Sequence, residues 1–184
     1  MKKLSLRARV LIGTAVATTV AAGAFGSLSA NAAAPAAAPA AVTADAGKGN
    51  LQQSTHLTVE AATKAAQVTL DAAKKENQRV SVAVVDRNGN TIVTLRGDGA
   101  GPQSYEAAQK KAFTAVSWNA PTSELAKRLE QAPTLKDIPG TLFLAGGAPV
   151  KADNAPIAGI GVAGAPSGDL DEKFAQAGVA SLAK

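Results

Sequence analysis

The sequence predicts an α+β domain in which helices pack on an antiparallel, profilin-like sheet of about five strands. Two β-branched runs, at residues 80–86 (VSVAVVD) and 91–96 (TIVTLR), flank the turn sequence Arg-Asn-Gly-Asn, which is typical of a β-hairpin with a type I′ turn. Along the first run, Val80, Val82 and Val84 share one face. Because helical patterns surround hairpins instead of alternating with single strands, an antiparallel sheet is favoured over a parallel one.

Four helices are predicted from apolar residues at spacings of three and four and from capping residues. Thr58 is placed to cap the first, and Asn-Ala-Pro ends the second. They cover residues 58–76, 104–118 and 122–130, and a final stretch that Ser167 or Asp169 can cap.

The stretch 137–166 holds two apolar runs, predicted as strands at 141–145 and 157–163, with a loop at 146–154 between them. Six glycines lie in this stretch. Since glycine weakens a strand unless something must approach the backbone closely, they indicate a tightly packed sheet centre or the wall of a binding site. We expect both, with the glycines opening space beside Thr141.

Residues 1–32 have the layout of a secretory signal peptide. Four Lys and Arg residues precede an uncharged apolar run at 10–28, and the triplet Ala-Asn-Ala at 30–32 fits a cleavage site. A membrane anchor is the alternative, but Thr, Gly and Ser dilute the run. The Ala- and Pro-rich residues 33–54 are predicted to be a disordered spacer, and 55–184 a single domain. A secreted protein is therefore expected.

Composition excludes several classes of function. The formal charge of +5 comes from 19 Lys and Arg against 14 Asp and Glu, and removal of residues 1–32 leaves 15 against 14. A net charge near +1 gives no support to nucleic-acid binding. The chain has no Cys, which excludes thiolate metal or redox chemistry.

The folded part resembles the GlcG/HbpS family of small α+β proteins. The resemblance covers about residues 57–182 and is most specific in a Pro-Gly followed by a Gly-Gly turn and an Ile-Gly-Val-x-Gly strand. The segments that carry it are VAVVDRNGN (82–90), GAGPQSYEAAQKKAFTAVSWNAPT (99–122), IPGTLFLAGGAPV (138–150) and IAGIGVAGAPSGDLDE (157–172).

This resemblance, which is closest to the secreted actinobacterial branch of the family, implies both an assembly and a ligand. The assembly is a homo-oligomer, an octamer in that branch. The ligand is b-type haem, with a capacity to degrade it and release iron. The resemblance further implies regulation of a membrane histidine kinase sensor under haem or oxidative stress.

Of the residue types that usually ligate haem iron, only His56 and Tyr105 remain after the signal peptide. His56 precedes a helix, where a solvated side chain is a simpler interpretation than an iron ligand. Tyr105 lies on an apolar stripe of its helix, where a tyrosine buried in the core is the simpler interpretation. The resemblance points instead to a threonine, and Thr141 beside its Pro-Gly is favoured over Thr114. A neutral hydroxyl is a weak donor, so haem should be held loosely.

Surface cations and carboxylates supply the remaining candidate ligands. Lys110, Lys111 or Lys127 would pair with haem propionates, or are simply solvated. The family's acidic D/E-x-x-E motif, which would bind released iron, survives in part as Glu106-Ala-Ala-Gln, where an amide replaces the second carboxylate.

The final helix offers a second carboxylate pair for iron. Asp169 and Glu172 keep the spacing of the acidic motif, although capping of the helix explains their position equally well.

Two other classes of function stay open. The first is an accessory protein that docks to a membrane sensor, with haem or iron only as a modulator. The second is a small-molecule enzyme on the same scaffold, whose acid–base groups would come from Glu106, Glu124, Glu130 or Asp137. Nothing in the sequence singles out a pair among these four.

Overall fold

The computed structural model describes residues 44–183. The predicted signal peptide lies outside these residues, as does the first half of the predicted spacer, residues 33–43. Residues 44–56 are exposed and contain one 3-10 turn, Lys48–Asn50. The compact unit that contains the helices and strands spans Gly47–Lys184. Within the described part of the chain, no helix has the length and apolar character needed to cross a membrane.

An α+β domain is confirmed, and all four predicted helices form. The first two lie within one residue of their expected bounds, and the third ends as an α-helix at Lys127, three residues before its expected end. The third continues as 3-10 turns at Arg128–Glu130 and Pro133–Asp137. The helices are α1 (Val59–Lys75), α2 (Ser104–Trp118), α3 (Thr122–Lys127) and α4 (Gly168–Ala180), and the strands are β1 (Ser81–Asp86), β2 (Thr91–Arg96), β3 (Gly147–Ala152) and β4 (Ala155–Ala163).

The predicted caps explain where two of the helices begin. The Thr58 hydroxyl accepts a hydrogen bond from the Ala61 N–H at 3.1 Å, and the Ser167 hydroxyl accepts one from the Leu170 N–H at 3.3 Å. Each satisfies a backbone donor that the first turn of a helix leaves free. α2 ends at Asn119, whose φ of 52° is left-handed.

The sheet has four strands in the order β2-β1-β4-β3, and all neighbours are antiparallel. About five strands were expected. The predicted strand at 141–145 is wrong, and β3 lies instead inside the predicted loop 146–154. Phe143 of this segment is buried and packs on α2, where its ring and that of Trp118 meet edge to face with centroids 5.1 Å apart. Periodicity alone cannot distinguish such a packed loop from a short strand.

Both hairpin turns differ from the expected geometry. In the β1–β2 turn only Gly89 has a positive φ, of 88°, so the type I′ turn predicted there is wrong. The β3–β4 turn instead has positive φ at both central residues, 49° at Asp153 and 62° at Asn154, as a type I′ turn requires. Asp and Asn tolerate this conformation better than other residues with a side chain.

The two faces of the sheet pack against different helices. Val80, Val82 and Val84 are fully buried with α1 and α4, which confirms their predicted common face. Ala83 and Val85 point the other way and pack against the alanines of α2. The domain therefore has three layers, with the sheet in the middle.

The strand glycines serve the contact between the sheet and α2. A Cβ at Gly159 would collide with the carbonyl oxygen of Ala112, and one at Gly161 with that of Ala108. The helix backbone can lie this close to β4 only because these positions lack a side chain. The interpretation of these two glycines as a tightly packed sheet centre is correct, and the expectation that they line a binding site is wrong.

Candidate functional site

Residues 138–147, here the 138–147 loop, run from the end of the last 3-10 turn to the first residue of β3 and contact α2. Buried side chains bind three of its backbone N–H groups. The Leu142 N–H donates to the Thr114 hydroxyl at 2.8 Å. The Gly147 N–H donates to the Thr122 hydroxyl at 2.7 Å, and the Gly146 N–H to the Glu172 carboxylate at 3.3 Å. These three hydrogen bonds fix the backbone of the loop at residues 142, 146 and 147.

The outer side of this loop exposes one hydroxyl and two large apolar side chains. Thr141 is half-buried, and its hydroxyl donates to the Ile138 carbonyl oxygen at 2.8 Å. That hydrogen bond uses the proton of the hydroxyl and leaves oxygen lone pairs for another partner. Ile138 is 39% exposed and Leu144 is 53% exposed. The loop therefore carries an oxygen donor and two exposed apolar side chains.

Two clefts adjoin the loop. The first, of about 250 Å³, is lined by apolar Val85, Phe113 and Gly140 together with Gln109 and Lys110. The second, of about 400 Å³, is lined by Ser104 and Lys111 of α2, Leu144 of the loop and Asp171 of α4, among others.

A further cleft, of about 260 Å³, lies beside Lys74, Arg79 and Asp98 and contains none of the predicted site residues. Of the predicted residues, Lys110 lines the first cleft and Lys111 lines the second, and Thr141 is among the lining residues of neither.

Lys111 lies inside the protein and not on its surface. Its side chain is 2% exposed, and its ammonium donates to Asp171 Oδ2 at 2.8 Å and to the Val162 carbonyl oxygen at 3.0 Å. Burial raises the pKa of Asp171, although Lys111 and the Ala165 N–H act in the opposite direction. The interpretation of Lys111 as a surface partner for propionates is therefore wrong.

The exposed cation at the first cleft is Lys110. It forms an ion pair with Glu106, one helical turn earlier, at 2.6 Å. The hydrogen bond and the charge of Lys110 lower the pKa of Glu106. Lys127 is exposed on α3. Lys110 is therefore the predicted lysine that adjoins the loop while remaining accessible to a ligand.

Glu172 and Asp169 have different surroundings. Both oxygens of Glu172 accept hydrogen bonds from Ser123, at 2.9 Å from its N–H and 2.5 Å from its hydroxyl. Asp169 is exposed in the first turn of α4. Within residues 44–183, no group of three or more His, Asp or Glu side chains is placed to hold a metal ion. The iron site stays a prediction, and the carboxylate of Glu172 is already bound by Ser123 and by the Gly146 N–H.

The other predicted haem ligands also lie apart from one another. Tyr105 is 45% exposed, so the core interpretation is wrong; the fully buried residue of α2 nearest to it on the same stripe is Ala108, three residues later. His56 is exposed, as the solvated interpretation predicted, and lies 2.6 Å from the Ser54 hydroxyl. Thr114 is fully buried and donates to the Lys110 carbonyl oxygen while it accepts from Leu142.

The structural importance of Thr122 and Asp171 did not emerge from the sequence. Thr122 is only the first residue of the predicted helix 122–130, and Asp171 is one residue of the predicted final helix. Their partners lie far away in the chain: Gly147 is 25 residues from Thr122, and Lys111 is 60 residues from Asp171. A local pattern carries no signal for such pairs.

Comparisons with known proteins agree with this fold. Residues 57–180 match the family model described as haem degrading protein HbpS-like. The chain is 75% identical to a double Glu-to-Asp mutant of Streptomyces reticuli HbpS, with a TM-score of 0.77 over 79% of this chain and 100% of that one.

Two more distant structures share the architecture. Klebsiella pneumoniae ORFY is 28% identical, with a TM-score of 0.68 over 72% of this chain and 94% of that one. PduOC, solved in complex with heme, is 26% identical, with a TM-score of 0.64 over 69% of this chain and 95% of that one.

Proposed function

The chain belongs to the HbpS-like family, and on that premise we propose that it binds haem against the outer side of the 138–147 loop. The observation that carries this proposal is the loop itself, which is held by buried side chains and presents the Thr141 hydroxyl between exposed Ile138 and Leu144. The similar PduOC, solved with heme, supports the choice of ligand.

The residues present fit haem that is weakly held. The porphyrin needs apolar surface, which Ile138, Leu144 and the first cleft supply. Its iron needs a donor, for which Thr141 offers a neutral oxygen, weaker than the usual His or Tyr ligands. Its propionates need cations, and Lys110 is exposed beside the cleft. Such a donor set favours binding that exchanges readily.

The dimensions of the clefts favour a site that is open or shared between copies. Ligand pockets usually measure about 300–1,000 Å³. The first cleft, of about 250 Å³, is smaller than this, the second, of about 400 Å³, is at the lower end of the range, and neither is closed. A planar macrocycle would extend beyond either one. A second copy in the proposed homo-octamer is the natural cover for the exposed side of the ring.

The direct test is a haemin titration of the protein without residues 1–32, followed by absorbance. We expect the Soret band of haemin to shift and to saturate at about one haem per chain. Because the proposed ligand is an oxygen, the spectrum should be that of high-spin ferric haem. An unchanged haemin spectrum at stoichiometric protein overturns the proposal.

We further propose that bound haem is degraded by peroxide and releases iron. An exposed ring supports this step, because an oxidant can reach it. The measurement is the loss of the Soret band after addition of hydrogen peroxide, with released iron captured by a chelator. If peroxide leaves protein-bound haem intact while free haemin bleaches, haem binding survives and degradation does not.

Export, assembly and signalling complete the proposal. The layout of residues 1–32 supports secretion, and light scattering of the mature protein should give the mass of eight copies. In this scheme haem or iron loading alters contact with a membrane sensor kinase. We expect the protein to capture a sensor ectodomain in an amount that changes when haemin is added. Equal capture with and without haemin would support the alternative of an accessory protein that only docks to the sensor.

A further inference from the structure

Three buried side chains, from three different helices, bind the backbone of a single surface loop. Thr114 and Thr122 are fully buried, and Glu172 is 7% exposed. Their acceptor atoms bind the N–H groups of Leu142, Gly147 and Gly146, respectively. These three side chains are buried, whereas Ile138 and Leu144 of the 138–147 loop are exposed.

This arrangement is not needed for packing alone. Loops usually give their N–H groups to water and have low local stability. A buried carboxylate is unfavourable unless several donors satisfy it, and Glu172 accepts hydrogen bonds from Ser123 and Gly146. Apolar side chains often fill such space with equal stability. What polar contacts add is one defined position for the backbone they hold.

We infer that Thr114, Thr122 and Glu172 are positioning residues that hold the loop in the geometry in which Thr141 meets its ligand. The inference rests on the proposed function. Two of the three, Thr114 and Glu172, were expected from the sequence to be ligands. In the structure they accept hydrogen bonds from the backbone of the loop that carries Thr141. A loop that is ordered before binding loses less entropy when the ligand arrives.

Thr114 has the most direct connection to the proposed ligand. It binds the amide of Leu142, the residue that follows Thr141, at 2.8 Å. If this hydrogen bond is lost, the Leu142 N–H is left without its partner, and the backbone at Thr141 gains freedom. A loosened donor should weaken haem binding and change its coordination spectrum without unfolding the domain.

The test compares Thr114→Val with Thr114→Ser. Valine has nearly the shape of threonine but cannot accept a hydrogen bond, whereas serine keeps the hydroxyl. We expect Thr114→Val to weaken haemin binding about tenfold and to shift the Soret maximum, and Thr114→Ser to remain near the wild type. The pair Thr122→Val and Thr122→Ser repeats the comparison if Thr114→Val does not fold.

Amide hydrogen exchange tests the same contact without haem. Exchange of the Leu142 amide should accelerate in Thr114→Val and stay slow in Thr114→Ser, while the buried Ala66 amide in α1 reports an intact fold. An unchanged exchange rate of the Leu142 amide in Thr114→Val would show that the Thr114 hydrogen bond does not hold the loop. Faster exchange with unaltered haemin affinity and spectrum overturns the positioning role. If the wild type binds no haemin, both the proposed function and the positioning role fail. The exchange rate of the Leu142 amide then still shows whether Thr114 holds the loop.

Discussion

The Lys111 ammonium lies 2.8 Å from the Asp171 carboxylate, and the two side chains are 2% and 5% exposed. This ion pair joins α2 to the first turn of α4, although the two helices pack on opposite faces of the sheet. Lys111 also donates to the Val162 carbonyl oxygen of β4. A single buried contact thus connects all three layers near the 138–147 loop.

Removal of one partner from this pair should destabilise the domain strongly. We expect Asp171→Ala to lower the free energy of unfolding by about 3–5 kcal/mol, because an uncompensated ammonium stays buried. The double variant Lys111→Met with Asp171→Leu should recover most of that loss. Urea denaturation measures both variants.

The surface pair Lys173–Glu76 is the matched control, since its atoms are 2.6 Å apart but its side chains are 60% and 41% exposed. Lys173→Ala should change the free energy of unfolding by at most about 1 kcal/mol. Equal losses for Asp171→Ala and Lys173→Ala would contradict the structural role of the buried pair.

A side chain at the glycines of β4 should push α2 away from the sheet. Gly161→Ala places a Cβ against the Ala108 carbonyl oxygen and should cost about 1–3 kcal/mol of stability or more. Thermal denaturation measures the loss. Gly49→Ala is the control, because nothing lies within 4 Å of a Cβ there. If both variants melt like the wild type, the close contact of helix and strand is wrong.

The β1–β2 turn should depend on pH through Asp86. Burial disfavours its charge, but hydrogen bonds from Asn90 and Asn88 outweigh burial and lower the pKa below 3.8. The unfolded chain therefore binds the proton more readily, so the stability from this carboxylate is complete above pH 3.8 and is lost as the pH falls through the folded pKa. Asp86→Asn should have a lower free energy of unfolding than the wild type at pH 7, and this difference should disappear at low pH. Denaturation of both proteins between pH 7 and acid measures it. A difference that stays constant with pH contradicts this.

The β3–β4 turn makes a prediction about backbone conformation. Asn154 has a φ of 62°, which is unfavourable for alanine and free of strain for glycine. We expect Asn154→Ala to lower the free energy of unfolding by about 1–2 kcal/mol and Asn154→Gly to preserve or raise it. Chemical denaturation of the two variants decides the matter, and equal stability would argue against a left-handed Asn154.

The helices and the first hairpin could be predicted because their signals are local. Thr58 and Ser167 cap helices through hydrogen bonds to residues only three positions further along the chain. β3 could not be predicted in the same way, since it contains Pro149 and Lys151 and lacks an apolar pattern. Its pairing with β4 is what makes it a strand.

The candidate site was only partly predictable because its contacts join distant parts of the chain. Thr141 was expected in the site, and it lies half-buried in the loop. The anchors of that loop could not be recognised, since Leu142 lies 28 residues from Thr114, and Gly146 lies 26 residues before Glu172. Lys111 resembles any other helix-surface lysine until the fold brings Asp171 to it.

The measurement that tests the central claim most directly is a haemin titration of Thr141→Ala beside the wild type. Thr134→Ala is the control, as an exposed threonine outside the loop. The account predicts that wild type and Thr134→Ala shift the Soret band, and that Thr141→Ala loses the shift or needs about tenfold more haemin while melting like the wild type. An identical shift and affinity for Thr141→Ala would contradict it.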